Sequence, residues 1–431
     1  MAFGLAWRTA AGCALGVLAC AACDSAGAKP VDAGSASDAT MGGGDDGGSV
    51  TTGPDGGPVL GPDGGLVTEP EGGSTDDATV GPGDDGGLDD GDADDGFDGF
   101  DGFDGFDGAC PSDSVMCGDA CAAFDPQNCG ACGHDCLGGG CNGGLCQPTP
   151  IYAQGYQAAG IAVDATNVYW TDFAGGTVMQ ASLDGSGTPL VLATGQVQPL
   201  GITVDATYVY WANFVDAHVR KVPIGGGDVI DIASGIAGAS YVAVNADTVF
   251  WTGYGDAGVF SAPLDGGPGG LIVPGQTKAN DIVVDSTRIY WTTQGTTVMA
   301  AAFDGTGVTT LASGQTFPYG IALNGTSVFW TNQVKVIGSV GMASLAGDAD
   351  AVTLAQNQDL ATGIAVDPSG AYWANEGTPG ANNGSIGHFS LDGGPARLIT
   401  AGQNQPHSVA LDSRFVYFTS FGNGNVLRVA K

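Results

Sequence analysis

Side chains able to do chemistry are sparse in this 431-residue chain. Between residues 148 and 431 there is a single glutamate, Glu376, so two-carboxylate hydrolysis and carboxylate-caged metal sites have little raw material. Asn280-Asp281 and His407-Ser408 supply an amide, a carboxylate and an imidazole. Brought together, these could assist a metal ion in hydrolysis or elimination. His218 and His388 sit where the surrounding residues vary freely, and both are expected at the surface. No Gly-x-Ser-x-Gly elbow stands in a strand-to-helix setting, and no phosphate-cradling Gly-Lys-Ser/Thr loop is present. Eight of the 11 cysteines, Cys110, Cys117, Cys121, Cys129, Cys132, Cys136, Cys141 and Cys146, fall within 37 residues. Such a cluster either binds zinc or forms disulfides.

An even cysteine count in a module too small for its own core favours four disulfides, with the pairing open. The run Cys117-Gly118, Cys121, Asp125-Pro126, Asn128-Cys129-Gly130, Cys132-Gly133 and Cys136 resembles the Stig1-like module of exported proteins. That resemblance implies an extracellular setting and no chemistry.

The elements that must position Asp281 and His407 follow from a repeat near 40 residues. Trp170, Trp211, Trp251, Trp291, Trp330 and Trp373 occupy equivalent places, with Phe418 as the seventh, at spacings of 41, 40, 40, 39, 43 and 45. Flanking β-branched residues and Gly punctuation make each unit four strands. In the first unit these are 161–164, 168–171, 177–183 and 189–193, with Asp164 accepting turn hydrogen bonds. Asp184-Gly185, Asp265-Gly266, Asp304-Gly305 and Asp392-Gly393 predict tight hairpins between third and fourth strands.

Seven inner strands end in Asp164, Asp205, Asn245, Asp285, Asn324, Asp367 and Asp412, but only six outer strands follow them. Residues 150–153 supply the missing one. The expected fold is therefore an all-β, seven-bladed propeller over residues 148–431, with four-stranded blades and an N-terminal strand closing the last blade. Tyr169-Trp170-Thr171-Asp172 resembles the YWTD motif of the low-density-lipoprotein-receptor type propellers, and a looser likeness runs to NHL-type propellers. YWTD propellers usually have six blades and this chain has seven units, so no ligand site is carried over. Both resemblances imply mostly binding roles.

Scaffold positions must repeat and site positions need not. The pairs opening the inner strands do not repeat, and they put Ser240, Tyr241, Asn280, Asp281, Tyr319, Thr362 and His407 at the channel mouth as the expected ligand-binding set. Asp281 and His407 fall on units four and seven, placed to bracket a ligand without bonding each other.

Residues 1–19 carry Arg8 and an apolar run too short to span a bilayer, which reads as a signal peptide. Val17-Leu18-Ala19-Cys20 resembles a bacterial lipobox, implying lipidation at Cys20, with Cys23 as the alternative. Residues 20–108 form an acidic Gly/Asp-rich linker, expected to be disordered, followed by the cysteine-rich module at 109–147. Net charge is −35, from 46 acidic and 11 basic residues, which excludes nucleic acid as a partner. The expectation is an exported, lipid-anchored monomer at the outer membrane or cell surface that binds a protein or glycan and touches membrane only through its lipid. No catalytic set, metal or cofactor is assigned, so no enzyme is expected. The alternative is an exported propeller enzyme, a metal-assisted hydrolase or lyase using Asn280, Asp281 and His407.

Overall fold

Adjacent side chains on a strand point to opposite faces, and in this chain that alternation turns one dipeptide into a ring. The aromatic pair at the centre of each second strand sends its Trp into one blade interface and the preceding Tyr or Phe into the next. Tyr169 packs in the cluster of Trp211, Tyr210 in that of Trp251, and so on around to Tyr417, which joins Trp170. Seven such clusters fill the interfaces between blades. The computed structural model describes residues 110–431 apart from Asp119, Asp256, Ala257, Asp348 and Ala349. The signal segment, Cys20 and the acidic linker lie outside the described residues.

Each blade is a four-stranded antiparallel sheet. In blade 1 the strands are Ala158–Val163, Asn167–Asp172, Thr177–Ser182 and Leu190–Ala193, innermost first. Blade 7 is built from Pro406–Leu411, Phe415–Ser420 and Asn425–Ala430, and its outer strand is Thr149–Tyr152. Val426 stands opposite Tyr152 and Arg428 opposite Thr149. The seven blades and the N-terminal closure are thus as the repeat predicts.

Hydrogen bonds explain why the motif repeats. The threonine after the Trp accepts the N–H of its own inner strand and donates to the neighbouring blade's inner strand. Thr171 Oγ1 lies 2.9 Å from Gly160 N and 2.7 Å from Leu200 O. Thr419 makes the equivalent bond to Ala159 O at 2.6 Å, joining blade 7 to blade 1. At the turn after the inner strand, Asp164 accepts the N–H groups of Thr166 and Asn167 and the hydroxyl of Tyr169. Asp205, Asp285 and Asp412 do the same with Tyr210, Tyr290 and Tyr417. Where Phe250 and Phe329 replace the tyrosine, the acid becomes Asn245 or Asn324, because no hydroxyl remains to bond the second carboxylate oxygen.

Two expectations need correction. The Asp-Gly pairs do not make tight hairpins: Gly185 N–H bonds Ser182 O at 2.9 Å and the chain then runs on to Leu190. Those aspartates cap a turn in a longer connection, as when Asp184 accepts Ser186 N–H. His388 is buried, not at the surface. Its ring centroid lies 4.5 Å from that of Tyr372, Arg397 Nε donates to its Nδ1, and Gly370 leaves the volume that the imidazole fills. His218 is partly exposed and pairs with Asp231.

The cysteine module holds four disulfides, Cys110–Cys121, Cys117–Cys132, Cys129–Cys141 and Cys136–Cys146. Buried Cys129, Cys136 and Cys146 share a core cluster with Val429 and Ala430 of blade 7. His134 lies between Cys129 O at 2.7 Å and Lys431 O at 3.0 Å. The module therefore packs on the blade that closes the ring.

Candidate functional site

One ring of side chains escaped the sequence reading. Phe173, Phe214, Tyr254, Gln294, Gln333, Glu376 and Phe421 each directly follow a YWTD-like tetrad. In every blade the N–H of this residue donates to the carbonyl of the residue preceding the inner strand, at 2.8 to 3.1 Å. Backbone geometry thus repeats seven times while the side chains do not. Four consecutive blades, seven through three, carry aromatics, and the next three carry Gln294, Gln333 and Glu376. Phe173 meets Phe421 at 6.0 Å between centroids, and Phe214 meets Tyr254 at 6.1 Å.

Side chains are also retained under strain at this face. Gln198, Lys278, Phe317, Leu360 and Gln405 precede inner strands with φ between 51° and 56°, where Gly238 alone uses a glycine. A left-handed residue other than glycine costs about 1–2 kcal/mol. Exposed apolar residues gather on the same loops: Tyr156, Val197, Val215, Val336 and Ile337.

The expected mouth set lies one layer in, and it is a plug, not an open rim. Ser240, Asn280, Tyr319, Thr362 and His407 are all buried. Tyr319, from blade 5, reaches across the axis: its hydroxyl is 3.3 Å from Tyr241 Oη and 3.4 Å from His407 Nε2. On the other side of the imidazole, His407 Nδ1 is 2.6 Å from Glu376 Oε1. Asn280 Nδ2 donates to Tyr319 O at 3.2 Å, and Thr362 Oγ1 donates to Ala374 O at 3.4 Å. Ser240 Oγ donates to Gly238 O. Asn280 and Thr362 therefore hold backbone, while Tyr241, Tyr319, His407 and Glu376 form a polar chain across the channel.

Asp281 does not join that chain, and its two oxygens accept the N–H groups of Ile282 at 2.8 Å and Ile321 at 3.0 Å. Burial pushes its carboxyl up to about 7, against the opposing pull of those two N–H groups and of the His407 charge. Burial likewise raises the Tyr241 and Tyr319 hydroxyls, with the charges of Asp281 and Glu376 adding to the effect. Both phenols stay protonated donors at neutral pH. A carboxylate on one imidazole nitrogen fixes the ring's orientation and turns the other nitrogen toward Tyr319. Among the described residues, the three-membered cysteine group that could suggest a metal is already used in disulfides.

No family model and no curated protein matches the sequence. Solved structures with this fold include virginiamycin B lyase from Staphylococcus aureus, at TM-score 0.55 and 14% identity over 66% of this chain and 98% of that one. A catalytically inactive histidine-to-alanine form of that lyase with quinupristin matches at TM-score 0.54, 14% identity, and 66% and 98% coverage. The WD40 β-propeller domain of Doa1 matches at TM-score 0.55, 14% identity, and 66% and 97% coverage. These are likenesses of fold. They nonetheless correct the expectation that the chain is not an enzyme, because a propeller of this build is a lyase in one of them. The fold supports binding or enzymatic roles.

Proposed function

We propose that the protein is an exported lipoprotein, anchored through Cys20, with residues 20–108 as a spacer and a propeller that binds a protein or glycan ligand on the face carrying Phe214, Tyr254, Gln294, Glu376 and Phe421. The observation that carries this is the ring of positions with sevenfold backbone hydrogen bonding and non-repeating side chains. The opposite turns, with their repeated Asp and Asn caps, have the regularity of a scaffold. Aromatic faces on one arc and amides with a carboxylate on the other match a ligand that has both apolar and hydrogen-bonding sides. An outer-membrane or cell-surface location belongs to the same proposal.

A second reading is favoured by the 2.6 Å contact between His407 and Glu376. In it the bound ligand is also transformed, with His407 Nε2 taking a proton from the substrate or returning one, and Tyr319 donating to the developing oxyanion. That reading is a lyase or hydrolase, and the histidine dependence of the similar lyase supports it. The test is to probe protein and glycan arrays with the full chain, then repeat with Phe214→Ala and His407→Ala. Binding lost in Phe214→Ala supports the site. Binding kept but product formation lost in His407→Ala supports catalysis. Binding unchanged in Phe214→Ala would move the site elsewhere.

A further inference from the structure

Beneath the tyrosine bridge lies a cavity of about 320 Å³ that the reading of the outer face does not use. Of the buried layer above it, only Tyr319 contributes to its wall. The rest comes from the third inner-strand position, including Tyr241, Asp281 and Ser408, and from deeper residues such as Ile282 and Ile321 down to Val244 and Val284. The cavity therefore runs along the channel toward the far ends of the inner strands, Val244 and Val284 being their last residues in blades 3 and 4. Its volume falls in the range of small-molecule sites, at the lower end of roughly 300–1,000 Å³.

The fold gives no reason for a carboxylate here. At the equivalent position four blades carry Gly160, Gly201, Gly320 and Gly363, each facing the next blade's backbone so closely that a Cβ would collide with it. Side-chain space exists only in blades 3, 4 and 7, where Tyr241, Asp281 and Ser408 use it. Among the described residues Asp281 is bonded by two peptide N–H groups and by no side-chain cation, and each of its oxygens retains a lone pair. Aromatic rings beside a carboxylate that lines a channel cavity form an environment that attracts an organic cation, through the ring quadrupole and by charge pairing.

We propose that this cavity binds a small alkylammonium ion, with its charge on Asp281 and its carbon skeleton against Tyr241, Tyr319 and Ile321. The groups facing Asp281 are the Tyr241 and Tyr319 phenols, the His407 imidazole across the channel and, behind it, the Glu376 carboxylate. Burial pushes the Asp281 carboxyl up to about 7, so its ionisation near neutrality bears on cation affinity. Apparent affinity then falls about tenfold from pH 8 to pH 6, and binding at pH 6 releases a proton.

The test is calorimetric titration of the full chain with choline and with its uncharged carbon isostere dimethylbutanol. Choline is expected to bind one per chain at pH 8, at least tenfold more tightly than the isostere, and about tenfold more weakly at pH 6. Asp281→Asn should lose at least tenfold in choline affinity. Ser408→Phe, which fills the cavity and leaves the carboxylate in place, should lose binding as well. Absence of choline binding at pH 8, equal binding of the isostere, or retention in a folded Asp281→Asn protein would each overturn the proposal. None of these outcomes bears on the outer face, whose ligand is read by the Phe214→Ala variant.

Discussion

Replacing Asp281 by Asn isolates the cost of one charge held inside the channel. Burial pushes the folded carboxyl up to about 7, against 3.8 for an aspartate in water. Between those values the folded protein holds a proton that the unfolded chain has released, so this group favours folding at low pH and loses that contribution as pH rises toward and past 7. Over the whole interval the shift corresponds to about 4 kcal/mol as an upper bound, and between pH 5 and pH 7.5 to about 2.5 kcal/mol. An asparagine has no such titration. Its amide fits one of the two N–H donors and crowds the other, a cost of about 1–3 kcal/mol that is independent of pH. The informative quantity is therefore the pH dependence of the difference between the two proteins. Urea unfolding at pH 5, 6, 7 and 7.5 should show the wild type losing about 2.5 kcal/mol relative to Asp281→Asn across the series. Parallel curves would refute the argument, since they would mean the carboxyl is solvated in the folded state.

Other consequences of the architecture are equally direct. Deleting residues 149–152 removes the outer strand of blade 7 together with the buried Ile151 side chain, so thermal unfolding should move down by well over the effect of about 1.5–3 kcal/mol expected for that side chain alone. Thr171→Val strands Gly160 N–H and Leu200 O in a buried interface and should cost about 1–3 kcal/mol in urea unfolding, while Ala212, at the equivalent place in blade 2, shows that the clip is not needed everywhere. Asp164 and Asp285 are pulled up by burial, but the tyrosine hydroxyl and turn N–H groups outweigh it and leave both carboxyls below their ordinary value. Their contribution is present above pH 4 and lost as pH falls further, so Tyr169→Phe should flatten acid unfolding below pH 4 as followed by tryptophan fluorescence.

What the sequence made legible was whatever repeats. The indole spacing, the inner-strand Asp or Asn and the spare strand before residue 153 specify seven blades and their closure, because each is a scaffold contact made once per blade. The site was only half legible. Tyr241, Asp281, Tyr319 and His407 stood out because the residues at their positions do not repeat from blade to blade, yet the plug they form could not be read, since Tyr319 closes the channel from across the axis. Glu376 looked like an isolated carboxylate until the fold brought it against His407, 31 residues away. The ring from Phe173 to Phe421 could have been found by aligning the one residue after each tetrad. His388 misled because its burial depends on the space left by Gly370, a pairing that no periodicity encodes.

The central claim is that function resides where the side chains stop repeating. The direct measurement is array binding by the full chain in three forms: wild type, the double variant Phe214→Ala with Glu376→Gln, and Asp304→Asn in a connection between third and fourth strands. A ligand should be captured by the wild type and by Asp304→Asn and lost by the double variant, with all three unfolding alike. Capture that survives the double variant, or that fails only in Asp304→Asn, would contradict it.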